Sequence, residues 1–432
     1  MTSAGAGPRP ALAVVGGAAG YETVTRVQGG GKGRLVQPVS PPRRRVPRLR
    51  LSPLVLALLF AAPAALAQTL PPGVEVSVGG KVHADARAFP GGPASDDLGF
   101  LLRRFRVGAD VEVDGWLRLA GEAGFGEGEV ELVDGYAEAD LRPGSGLVVR
   151  AGKFKLPVGY ESLRSSSDLR FGERALPTAL VPRRDLGVMV AASRAGAEVQ
   201  VGLFNGVRDG SSSPAGWGSG PDVAARVFAG VGGGLGVGVG AIAGTAREGG
   251  GAGEAFADYE TPGDRAFFAY APGVVPDGLR YRVAPQATLH RGRLSLLAEG
   301  AVAGHRVRRA DGGAGPSDLA HAAWLAEASV VLVGAPRGER RPVPTRAVPE
   351  GGPGAVEVSA RLHGFAADPD AAPLVAGTSA RDALAGAVAV HWTPVAYVRL
   401  GLTAERTTFG SFERGAPPEP ETFVILRAQV EM

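Results

Sequence analysis

Between residues 153 and 185 the chain sets seven bases, Lys153, Lys155, Arg164, Arg170, Arg174, Arg183 and Arg184, among four acids, Glu161, Asp168, Glu173 and Asp185. Lysine and arginine donate hydrogen bonds and accept none, and the arginine fork matches a pair of oxyanion oxygens, so this surplus is suited to holding small anions. The surplus is local. Residues 1–67 hold nine of the 46 bases and one of the 43 acids, which leaves 37 bases against 42 acids in the body that follows. A positive stretch inside a negative body is the charge pattern of an anion filter. The plain alternative is that these bases pair with their acidic neighbours. It weighs most for Arg174 and Arg184, which adjoin Glu173 and Asp185. Lys153, Lys155, Arg164 and Arg170 are therefore the first candidates for solute contact. Arg104, Arg106, Arg280, Arg282 and Arg399 share one strand parity and extend a basic track.

Other chemistries find little support. There is no cysteine, hence no disulfide, thiolate metal site or cysteine nucleophile. The six histidines, His83, His290, His305, His321, His363 and His391, are scattered, with neither metal-ligand spacing nor a nucleophile motif beside them. Gly29-Gly30-Gly31-Lys32 lacks the upstream Gly and the trailing Ser/Thr of a phosphate loop, and no helical period follows Gly238-Val239-Gly240. The acidic body argues against nucleic acid as a partner. No cofactor is expected.

The N-terminal region reads as an address. Arg43, Arg44, Arg45, Arg48 and Arg50 precede the apolar run Leu51–Ala62, and Ala65-Leu66-Ala67 gives a small-residue cleavage site before Gln68. Residues 46–67 are thus expected to be a secretory signal peptide. We read the Gly/Pro/Arg-rich residues 1–45 as an extension created by a start site set too far upstream, translation beginning near Val46 or Leu49. Residues 68–432 form the exported body.

Those bases need elements to hold them, and the body supplies strands. In 104–113 the residues Arg104, Arg106, Asp110 and Glu112 alternate with Phe105, Val107, Ala109, Val111 and Val113, the period of a strand with two unlike faces. Sixteen such segments are expected, near 74–84, 100–113, 116–125, 130–141, 147–155, 186–192, 197–204, 222–231, 235–246, 280–289, 294–305, 322–333, 355–366, 383–392, 395–409 and 422–431. Connections after even-numbered segments are mostly tight and Gly-rich. Those after odd ones are often long: 156–185, 205–221, 247–279, 367–382 and 410–421. An even strand number with short turns on one rim and long loops on the other predicts an all-β, sixteen-stranded antiparallel transmembrane β-barrel. Residues 334–354 break the rhythm, being long where a short turn is due, which means either an insertion on the turn side or a missed strand.

The segment Gly152–Val188, GKFKLPVGYESLRSSSDLRFGERALPTALVPRRDLGV, resembles the hallmark of the phosphate-selective porin O and P family. Arg103–Asp114, Val133-Asp134-Gly135-Tyr136, Leu203-Phe204-Asn205-Gly206 and Trp392-Thr393-Pro394 are similar to further stretches of that family. The resemblance covers about residues 75–432. It implies an outer-membrane barrel embedded in lipid, usually a homotrimer, that passes phosphate or other small anions passively. It also implies that the third long loop, 156–185, folds inward and narrows the pore. Non-specific and sugar-specific pores are the nearest alternatives, although four Trp and seven Tyr leave few aromatics for a sugar track. A barrel enzyme or a soluble all-β binder is the more distant one.

Overall fold

Residues 70–90, 98–126, 130–212, 221–247, 256–313, 315–412 and 417–432 are described by the computed structural model. The expected signal peptide and the 1–45 extension lie outside them.

Sixteen antiparallel strands close into one barrel in chain order. They are β1 (Val74–Ala88), β2 (Gly99–Val113), β3 (Leu117–Gly124), β4 (Glu131–Asp140), β5 (Leu147–Lys155), β6 (Arg184–Arg194), β7 (Ala197–Phe204) and β8 (Asp222–Gly232). There follow β9 (Leu235–Arg247), β10 (Val274–Arg291), β11 (Leu294–Arg309), β12 (Ser317–Val333), β13 (Ala355–Ala366), β14 (Ala380–Val395), β15 (Val398–Ser411) and β16 (Glu421–Glu431). Pairing of β1 with β16, from Lys81 opposite Glu431 to Ala88 opposite Val424, closes the ring.

Each expected segment is a barrel strand. The tenth and twelfth begin earlier than their alternation suggested, and the fifteenth begins at Val398, three residues late. Residues 334–354 hide no barrel strand: they form a small hairpin, Ala335–Arg337 with Arg340–Val343, and one 3-10 turn, Val348–Glu350.

The period of two decides which face each residue takes. In β12, Leu319, His321, Ala323, Leu325, Glu327 and Ser329 are buried, while Ala320, Ala322, Trp324, Ala326, Ala328 and Val330 are exposed. A closed sheet has no edge, so its exposed apolar band is what a bilayer solvates.

Around β8–β16 the inner face is covered by other parts of the chain. Phe154, Leu156, Val158, Leu176, Leu180 and Val181 pack with Ala224, Ile242 and Ala284 of the wall. The hairpin Tyr259–Glu260 with Ala266–Phe268 brings Tyr259, Phe267 and Phe268 into the same cluster, beside Leu319 and Phe365. Along β1–β6, Lys81, Arg106, Glu122, Asp134, Lys155 and Arg184 border an open cavity instead, while Phe154 of β5 and Met189 of β6 join the packed cluster.

Candidate functional site

The connection between β5 and β6 is tied to strands across the barrel. Its short helix α1 (Tyr160–Leu163) presents its first amides to Glu299 of β11, Tyr160 N at 3.0 Å and Glu161 N at 2.8 Å. Gly172 N donates to Thr403 Oγ1 of β15, and Leu176 N donates to His363 Nδ1 of β13. Arg399 of β15 donates to the carbonyls of Ser167 and Leu169.

Two of the candidate bases serve this attachment. Arg170 bridges Glu327 at 3.1 Å and Glu357 at 3.0 Å, and Arg164 reaches Glu327 at 3.3 Å. All four side chains are almost wholly buried. Burial disfavours the charged Arg170, but Glu327 and Glu357 outweigh it and raise its pKa. Arg184 forks onto Asp134, both contacts 3.0 Å, and Arg106 pairs with Glu122 at 2.9 Å. Lys153 stands opposite Gly135 and the outward Leu186. Arg280 binds Asp222, Arg282 binds Asp209, and Arg399 binds Glu357.

Three bases are held differently. Lys155 Nζ donates to the carbonyls of Leu163 and Arg164, both at 2.8 Å. Arg174 donates to the carbonyls of Glu161 and Arg164, at 3.2 and 3.0 Å, and Arg183 to that of Gly210 at 2.5 Å. Among the described residues none of the three has a carboxylate within ion-pair distance. Backbone carbonyls, rather than carboxylates, position these three groups. Burial, with Arg183 and Arg184 nearby, brings the Arg174 pKa down to about 10, so it keeps its charge at neutral pH.

Sequence reasoning missed two partners here. Arg103 is one. The register slips between His83 and Ala84, which face Arg104 and Leu102, so Arg103 is the extra residue of a bulge. A bulge re-aims side chains, and both Arg103 (2.8 Å) and Arg104 (3.7 Å) meet Glu173. Glu173 is the other. It also takes Arg87 at 2.7 Å and Arg427 at 3.0 Å, while its sequence neighbour Arg174 turns away to carbonyls. Burial opposes the Glu173 carboxylate, yet Arg104, Arg103 and Arg427 hold it well below the usual carboxylate range. The Arg103-Arg104 doublet, out of step with alternation, was the available signal.

Two cavities meet at these residues. One of 750 Å³ is bordered by Lys81, Arg104, Arg106, Glu122, Asp134, Lys155 and Arg184 together with Ser162, Ser165 and Ser166. The other, of 540 Å³ on the long-loop side, is bordered by Arg208, Asp258, Glu260, Thr261 and Asp264. Arg103, Arg174, Arg183 and Ser211 border both, so the two meet at three guanidinium groups.

Serine–histidine contacts do not assemble a hydrolase here. His83 Nε2 lies 3.4 Å from Ser167 Oγ, but both residues are fully buried and His83 Nδ1 has no partner. His290 Nδ1 contacts its cross-strand neighbour Ser295 at 3.0 Å, with Glu339 4.0 Å from the other nitrogen, beyond hydrogen-bond reach.

A closed sixteen-stranded barrel with an outward apolar band and a charged internal passage defines the class of outer-membrane channels. The chain belongs to the phosphate-selective porin O and P family, whose pattern matches residues 76–394. Solved structures with the same fold include the outer membrane channel DcaP of Acinetobacter baumannii (TM-score 0.57, 12% identity, 84% of this chain and 99% of that one). Others are an anion-selective porin from Comamonas acidovorans (0.54, 12%, 83% and 100%) and OmpT of Vibrio cholerae (0.52, 10%, 84% and 99%). No curated protein matches the chain in sequence.

Proposed function

We propose that this porin lets small anions, phosphate among them, diffuse passively across the outer membrane, and that it has no catalytic role. The observation that carries the reading is the waist of Arg103, Arg174 and Arg183, with Lys155 just beyond it. Arg174 and Arg183 are bonded to carbonyls rather than to carboxylates and so leave their guanidinium groups to a solute. Rings of Arg and Lys at a narrow point favour anions. The 156–183 connection acts as the constriction, its attachment to β11–β15 holding Arg174 and Arg183 over the passage.

The family and the anion-selective neighbour from Comamonas acidovorans support the same direction. A homotrimer is the proposed assembly, since a trimer form of the OmpT neighbour from Vibrio cholerae is among the solved structures (TM-score 0.50, 12% identity, 83% of this chain and 100% of that one).

The test is the zero-current potential of the purified protein across a planar bilayer in a KCl gradient. A potential of the anion-permeable sign is expected. A cation-permeable sign, or none, would leave the barrel and discard the anion reading.

A further inference from the structure

The long-loop mouth of the passage carries the opposite charge to its waist. Asp258 and Glu260 border the 540 Å³ cavity together with Arg174 and Arg183. Both acids are exposed, and neither forms an ion pair with any described residue. At the waist, Arg174 and Arg183 border the same cavity and are bonded to carbonyls, with no carboxylate within ion-pair distance among the described residues. The passage therefore offers carboxylates without a cationic partner at one station and guanidinium groups without a carboxylate partner at the next.

Resting on the anion-porin reading above, we infer that the solute this passage favours is amphoteric: a small acid whose carboxylate or phosphate sits at Arg174 and Arg183 while an ammonium group at its other end faces Asp258 and Glu260. A simple anion gains at the waist but is repelled at the mouth. A molecule with separated charges of both signs gains at both, provided it enters acid end first. Ordinary inorganic ions cross without using the second station. The mouth acids act together, as the raised pKa of Glu260 reflects: burial, Asp264 and Asp258 push it up, and only Arg183 opposes them.

The experiment is interruption of chloride current through the full-length protein in a planar bilayer by 6-aminohexanoate, with 6-hydroxyhexanoate as the control of equal length and no ammonium. In the wild type, 6-aminohexanoate is expected to interrupt the current at about tenfold lower concentration. The Asp258→Asn, Glu260→Gln double variant should bring the two compounds together, by weakening the effect of the amino acid and modestly strengthening that of the hydroxy acid. Equal interruption by both compounds in the wild type overturns the inference, as does a preference that survives in the double variant. Absence of anion-selective current would instead contradict the underlying porin reading, so the two failures are distinguishable.

Discussion

The two halves of the barrel wall treat charge in opposite ways. On β11–β16 the inward carboxylates are spent on structure: Glu327 and Glu357 hold Arg164, Arg170 and Arg399, and Glu405 holds Arg361 at 2.7 Å with both side chains fully buried. On β1–β6 most ion pairs border water: Arg118 and Asp110 keep 39% and 35% of their side-chain surface exposed and Lys81 and Glu122 14% and 22%, the buried Arg87–Asp85 pair of β1 being the exception. One half is a filled support and the other is the passage. Position in the barrel, rather than residue type, decides whether an arginine fastens the chain or meets a solute.

Breaking a carboxylate shared between the two halves should have the largest effect. Glu173→Gln leaves Arg87, Arg103, Arg104 and Arg427 without their common carboxylate, and a loss of roughly 3–5 kcal/mol is expected for a buried charge stripped of its partner. Urea unfolding in detergent micelles, followed by tryptophan fluorescence, would measure it. Arg170→Met should cost somewhat less, about 2–4 kcal/mol, because Arg164 and Arg399 still reach Glu327 and Glu357.

Arg174→Met sharpens the contrast. It removes no ion pair, so stability should change by less than about 1 kcal/mol, whereas the zero-current potential should move clearly toward zero. A smaller effect again is expected from Arg118→Ala at the half-exposed Asp110 pair, about 0.5 kcal/mol with no change in selectivity.

Acidification gives the mildest probe. Glu260 has a raised pKa, so as pH falls it gains its proton before an ordinary glutamate does. Its negative charge then leaves the mouth, and anion preference should rise as pH is lowered toward the range just above the ordinary glutamate pKa of 4.5. In the Glu260→Gln variant that rise should be missing.

The barrel was legible because a lipid-facing strand must alternate, and alternation runs through most of the sixteen segments, with bulges only at points such as Arg103. The site was legible only in outline. Of the 153–185 bases, Lys155, Arg174, Arg183 and Arg184 border the cavity, but local sequence pairs Arg174 with Glu173 and leaves Arg164 and Arg170 unattached, while the fold does the reverse. Those partners come from Glu327 and Glu357, more than 150 residues away, and periodicity carries no information about contacts across a barrel. Arg103 escaped because a bulge breaks the parity on which inward and outward assignments rest. The covered inner face of β8–β16 escaped because inward alanines such as Ala284, Ala301 and Ala303 suit a packed interior and a water-filled one equally.

The most direct test of the whole account is to alter charge in the two halves and read the zero-current potential in a KCl gradient on folded protein. Arg174→Glu with Arg183→Glu should abolish or invert the anion preference. Glu421→Gln, a buried carboxylate at the loop end of β16 held by Thr261, should leave it intact. Unchanged selectivity after reversal at Arg174 and Arg183 would contradict the placement of the passage along β1–β6.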